Sequence, residues 1–218
     1  MTPLQNSEAR YGALAMALHW LMALLLSALV VLGLYMTRLP DVGFDTWKIG
    51  LILYHKQLGI LALMLVALRI VWRVGNVLPD LAETLPDWQK VAARFVHLCF
   101  YALMLALPVT GWLMSSATGI PVSVFGLFTL PDLVPYDDHL FQVLVDAHRY
   151  LGYALIVCMI AHIGAALRHQ FLLHDGTLNK MLPGSGATPA GHRSPAVRNG
   201  PSAAAPRRSR CSPPSRPR

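Results

Sequence analysis

An all-α membrane protein, a bundle of four transmembrane helices, is the fold class this sequence predicts, and three observations predict it. The 218 residues are 55% hydrophobic and only 13% charged. The apolar residues come in four runs, each near the roughly 20 helical residues that cross a hydrocarbon core about 30 Å thick. The Lys and Arg residues between the runs fall mostly on one side, as in multi-pass proteins.

The first run, Ala13 to Met36, has no charged residue. At 24 residues it exceeds a signal-peptide core and lacks an Ala-x-Ala exit, so it reads as a retained anchor. The second, Ile49 to Trp72, is interrupted by His55, Lys56 and Arg69. The third, Phe95 to Met114, contains Pro108, expected to kink it near its outer end with Gly111 easing the bend. The fourth, Ala147 to Leu167, is interrupted by Arg149 and His162. Polar groups inside such runs must face the bundle interior or snorkel to an interface.

Four spans put both termini on one side. Arg10, Arg69, Arg73, Lys90, Arg94, Arg168, Lys180 and the tail share a side, against Arg38, Lys48, Lys56 and Arg149 opposite, so both termini are expected on the cytoplasmic side. The connection from Val74 to Gln89, with Pro79 and Pro86, is a cytoplasmic loop. That from about Ser115 to Asp146 has Asp132, Asp137, Asp138 and Asp146 and no Lys or Arg. Its Pro121, Phe125, Phe128, Pro131, Pro135 and Tyr136 point to a short structured lid at the outer interface. The organisation is then a cytoplasmic segment 1–12, a four-helix domain 13–182 and a tail 183–218.

The net charge of +7 comes entirely from that tail, whose seven arginines (Arg193, Arg198, Arg207, Arg208, Arg210, Arg216, Arg218) face no acid. The body is neutral, so the charge is no sign of nucleic-acid binding. Rich in Ser, Pro, Ala and Gly, the tail is expected to be a disordered, solvated extension that can touch anionic lipid. Cys99 and Cys158 sit mid-membrane on different helices and Cys211 lies in the tail, so no disulfide framework emerges. There is no Cys-x-x-Cys-His, and any haem is held noncovalently.

Four histidines within the apolar runs carry the chemistry. His148 and His162 share a helix fourteen residues apart, which returns the side chain to within about 40° of its starting direction and about 21 Å along the axis. His19 lies about six residues from the cytoplasmic end of the first helix and His162 as far from that end of the fourth. His55 lies about six residues from the outer end of the second helix, and His148 lies near the outer end of the fourth. Two pairs at matched depth follow, His19 with His162 inside and His55 with His148 outside.

A single membrane histidine is explained by a hydrogen bond to a neighbouring helix; four at paired depths point to two haems with histidine on both faces of each iron. Zinc or copper fits worse, because its ligands would cluster at one point. His55 and His148 each precede a glycine by four residues, Gly59 and Gly152, where a missing side chain lets a flat macrocycle approach the backbone. Lys56 and Arg149, beside the outer pair, are candidate partners of haem propionates. Arg69, fourteen residues after His55, is the candidate at the inner level. His97 could replace His19 in the inner pair; the preferred role is a polar contact near the inner haem or a quinone. His139, His169, His174 and His192 read as solvated.

The chain resembles the bacterial cytochrome b561 family from Arg10 to Pro183. The residues carrying the likeness are Ala17-Leu18-His19-Trp20, His55 with Gly59 and Leu68-Arg69, and His97 through Ala106-Leu107-Pro108-Val109-Thr110-Gly111. They continue with His148, Leu151-Gly152-Tyr153, His162, Asp175-Gly176-Thr177-Leu178 and Met181-Leu182-Pro183. The arginine-rich tail departs from the usual short ending. The resemblance implies ligands on the first, second and fourth helices (His19, His55, His148, His162), superoxide as a periplasmic donor and ubiquinone as acceptor. Bis-histidine iron leaves no open position, so the chemistry is outer-sphere electron transfer in a respiratory-chain setting and no residue is assigned as catalytic. The electron donor is a small molecule or a protein, and a homodimer is left open. Two rivals stand beside this: a cytochrome b subunit anchoring a dehydrogenase or hydrogenase, and a non-redox histidine-bearing bundle or transporter.

Overall fold

The computed structural model describes residues 4–7, 10–40, 45–79, 86–174 and 178–182. The tail and the Asp175-Gly176-Thr177 segment lie outside the described residues.

Four long helices dominate: α1 (Ala13–Met36), α2 (Thr46–Val74), α3 (Asp87–Ala117) and α4 (Asp138–Arg168). Each is long and apolar enough to cross a bilayer. The first matches its expected bounds; the others run past their apolar cores. The structure therefore corrects the connections: the one between α2 and α3 ends at Pro86 rather than Gln89, and the outer one spans Thr118 to Asp137, with Ser115 and Asp146 inside helices. At the starts of α2 and α4 the cause is capping, whereas α3 starts after Pro86 without a side-chain cap. Asp45 accepts from the Trp47 N–H at 2.9 Å and Asp137 from the Leu140 N–H at 3.0 Å, so α2 and α4 start where an acid satisfies their free N–H groups rather than where hydrocarbon begins. Asp138 in the first turn and Arg168 in the last suit the dipole of α4. Pro108 sits within α3 without ending it.

Neighbours pack in chain order, α1 on α2, α2 on α3 and α3 on α4, and α1 and α4 are not among the closely packed pairs. The core is a layer of Met22, Leu25, Leu26, Ala62, Val66, Leu103, Met104 and Leu155. Val66 is fully buried and Leu155 nearly so. Leu155 stands seven residues, two turns, from both His148 and His162, so this layer lies between the two histidine levels. Val143, Tyr150, Tyr153, Val157, Ile160 and Ile163 on α4 are exposed, as on a lipid-facing surface.

The outer connection is a structured cap. Strands β1 (Ser123–Val124) and β2 (Phe128–Thr129) pair antiparallel across a turn with positive φ at Phe125 and Gly126, the primed geometry that suits a hairpin's twist. Val122 and Val124 bury against Ile60 of α2, with Trp112 and Leu130 alongside. Ser116 Oγ accepts from the Leu133 N–H at 3.0 Å, and Trp112 Nε1 donates to the Pro131 carbonyl at 3.0 Å. At the other end α4 continues into a π-helical turn, His169–Leu173, and a 3-10 turn, Leu178–Met181, follows.

Candidate haem-binding site

The helices bring the predicted partners together. The imidazole centres of His55 and His148 are 6.2 Å apart, and those of His19 and His162 are also 6.2 Å apart. An imidazole nitrogen binds a metal at about 2.0–2.1 Å and the ring centre lies roughly 1.1 Å behind it, so imidazoles on opposite sides of one iron have centres about 6.3 Å apart. Both pairs have the ring-centre separation that an iron held between them would need. His55 lies nine residues into α2 and His148 ten into α4, deeper than the apolar runs indicated and at closely matched depth.

The outer pair sits in a cradle built by helices α1 and α3. Thr110 Oγ1 donates to the Leu107 carbonyl at 2.9 Å and lies 3.0 Å from His148 Nδ1. A hydroxyl has one proton, so with it given to Leu107 the oxygen accepts from Nδ1–H, and Nε2 keeps the free lone pair. A Cβ on Gly111 would sit 3.6 Å from His148 Cε1, and one on Gly33 would sit 3.4 Å from His55 Cε1. Each outer imidazole thus lies against a glycine of a neighbouring helix. The sequence reading missed both, since it sought glycines only on the histidine's own helix. At Gly59 and Gly152 an added Cβ would meet nothing within 4 Å. His55 Nδ1 is buried without a hydrogen-bond partner.

The cations near the outer level have protein partners. Lys56 Nζ donates to Ser115 Oγ at 2.8 Å, and that buried hydroxyl donates to the Ile120 carbonyl at 2.6 Å. Arg149 pairs with Asp146 at 3.1 Å, both largely exposed.

The inner level is a cluster rather than a pair. His97 comes within 5.6 Å of His162, closer than the separation two imidazoles trans on one iron require, and is 2.7 Å from the Ala93 carbonyl through Nδ1. Phe100 packs edge-on against His162 at 5.3 Å, and Trp20 against His19 at 5.5 Å. Arg69 reaches the depth expected of it: its Nη2 lies 3.2 Å from His19 Nδ1 and its Nε donates to Tyr101 Oη at 3.3 Å. Guanidinium has only donors, so His19 Nδ1 accepts and the His19 proton sits on Nε2. An imidazole giving Nε2 to iron keeps its proton on Nδ1, so iron binding at His19 requires Arg69 to release this bond.

Known proteins resemble most of this chain. The family model described as prokaryotic cytochrome b561 matches residues 10–184. Among Escherichia coli (strain K12) proteins, cytochrome b561 homolog 2 is 34% identical over 177 residues, covering 81% of this chain and 93% of the relative. Cytochrome b561 homolog 1 is 28% identical, covering 80% and 97%. A Yersinia pestis protein named probable superoxide oxidase CybB is 26% identical, covering 80% and 96%. The chain therefore belongs to the prokaryotic cytochrome b561 family, membrane proteins that bind b-type haem and transfer electrons across the membrane.

Proposed function

We propose that the chain holds two noncovalent b haems, one between His55 and His148 and one between His19 and His162, and conducts electrons from a periplasmic donor such as superoxide to ubiquinone. The observation that carries the reading is the equal 6.2 Å separation of the two pairs. Both termini are cytoplasmic, which puts His55 and His148 on the donor side. A bound b haem supplies reversible one-electron exchange at its iron.

The residues do the rest. His55 with His148, and His19 with His162, would hold the two irons and leave no ligand position for oxygen or substrate, so exchange with donor and acceptor would be outer-sphere. The Leu155 and Val66 layer keeps water out between the two levels. Gly59 and Gly152 leave room beside a macrocycle, Lys56 and Arg149 supply positive charge near the outer pair and Arg69 near the inner. His97 is the polar neighbour of the inner site. The electron balance is simple: two superoxide anions each give one electron and leave as dioxygen, and ubiquinone takes both electrons with two protons to become ubiquinol. The relative named as a probable superoxide oxidase supports this donor.

The test is to expose the oxidised, purified protein to superoxide generated by xanthine oxidase. Haem reduction that superoxide dismutase abolishes and added ubiquinone reverses is the expected result; reduction indifferent to dismutase would remove superoxide as donor.

A further inference from the structure

Arg69 and Arg73 lie one turn apart on α2, on the same face, and both guanidinium carbons stand near one phenol ring, 6.0 Å and 5.5 Å from the Tyr101 centre. Like charges at this spacing repel, and Arg69, inside the apolar run, calls for an anion. Among the described residues no ion pair joins Arg69 or Arg73 to a carboxylate. The groups Arg69 does bond, Tyr101 and His19, are neutral acceptors.

The two arginines line a cavity with Tyr11, Trp72, Tyr101 and Met181. Trp72 Nε1 is buried and has no hydrogen-bond partner. Burial pushes the Tyr11 phenol up from its ordinary value although both guanidiniums pull it down, so it stays protonated. Three chain segments close the cavity. Asn6 Nδ2 donates to the Val77 carbonyl at 2.9 Å while its Oδ1 accepts from the Gly12 N–H at 2.9 Å, and Trp20 Nε1 donates to the Met181 carbonyl at 2.8 Å. The lining named here offers donors and positive charge and no acid.

We propose that this chamber is a carboxylate site that takes one propionate of the inner haem, with Arg73, Trp72 Nε1 and Tyr11 completing what Arg69 begins. The inference rests on the reading that a haem lies between His19 and His162. The chamber adjoins that site, since Arg69 lines it and touches His19. An iron held by His19 Nε2 would need the proton on Nδ1, which would free Arg69 from that contact and leave it available to a carboxylate. Paired guanidinium and carboxylate groups make strong bidentate contacts, and lysine reproduces the charge without the fork.

The experiment compares wild type, Arg73→Gln, Arg73→Lys and Trp72→Phe, each purified with its haem, by haem-to-protein ratio and potentiometric titration. Wild type should carry two haems; one or none would overturn the two-haem reading itself, before any variant is considered. In Arg73→Gln the midpoint of one haem should move negative, because a lost cation favours the ferric state, while the other stays put. Arg73→Lys should show a smaller shift of the same component. Trp72→Phe, which removes one N–H and no charge, should do the same and guards against misfolding of the arginine variants. Unmoved midpoints in all three would overturn the proposal. The rival oxyanion is a lipid phosphate, so wild type and Arg73→Gln are also compared in nanodiscs with and without phosphatidylglycerol. Midpoints that follow this lipid in wild type but not in the variant would also overturn it.

Discussion

Thr110 accepts the Nδ1 proton of His148 at 3.0 Å while giving its own proton to Leu107. This bond orients the ring and makes Nε2 a better donor to iron, as outer-shell acceptors do. Thr110→Val, which keeps the shape and removes the acceptor, should raise the midpoint of one haem and weaken its retention about 10–100-fold. Thr110→Ser should restore both. Redox titration with haem quantification reads this, and a valine variant indistinguishable from wild type would contradict it.

Gly111 and Gly33 make a graded prediction. An added Cβ would stand at ordinary contact distance from His148 and His55, respectively, so Gly111→Ala and Gly33→Ala should retain the outer haem. Gly111→Leu or Gly33→Leu would drive a branched side chain into the imidazole and should lose it, read as one haem per chain. Full retention in the leucine variants would mean the outer rings are not held against these helices.

Ser115 joins Lys56 to the outer cap through two hydrogen bonds. Ser115→Ala would strand a half-buried ammonium and a carbonyl, costing about 1–3 kcal/mol, so thermal unfolding in detergent should shift down and proteolysis at the cap should quicken. Ser116→Ala should release Leu133 in the same way. Unchanged melting in both would show that the cap is not fastened through these hydroxyls.

Tyr136 makes a pH prediction outside the membrane. Its hydroxyl donates to Asp138 at 2.8 Å, and that hydrogen bond, reinforced by the carboxylate's charge, pushes the phenol up from its ordinary value of 10.0. A pKa raised on folding contributes stability that is present below the unfolded value and lost as pH rises through the folded one, so the bond weakens only above about pH 10. Ultraviolet titration should find Tyr136 ionising late, as Tyr11 does, and Asp138→Asn should bring the Tyr136 component alone back. A spectrum unaffected by that substitution would contradict the bond.

Much of this was legible in the sequence. Helix periodicity fixes which way a side chain points and how far along the axis it sits, so the fourteen-residue interval put His148 and His162 on one face, and depths counted from the helix ends matched them with His55 and His19. What the sequence hid were contacts between helices. Gly33 and Gly111 serve histidines on other helices, and Lys56 meets Ser115 across 59 positions; no local spacing encodes either. Helix ends were hidden for another reason. Asp138, His139 and Asp146 lower the apolar density of the first turns of α4, yet backbone bonding starts at the Asp137 cap and runs through them.

The central claim is that two histidine pairs hold two haems, and a reduced-minus-oxidised spectrum with haem quantification of wild type and His148→Ala tests it most directly. The account predicts b-type bands with two haems per chain in wild type, and one haem with one midpoint retained in the variant. A wild type with fewer than two haems, or loss of both on that single substitution, would contradict it.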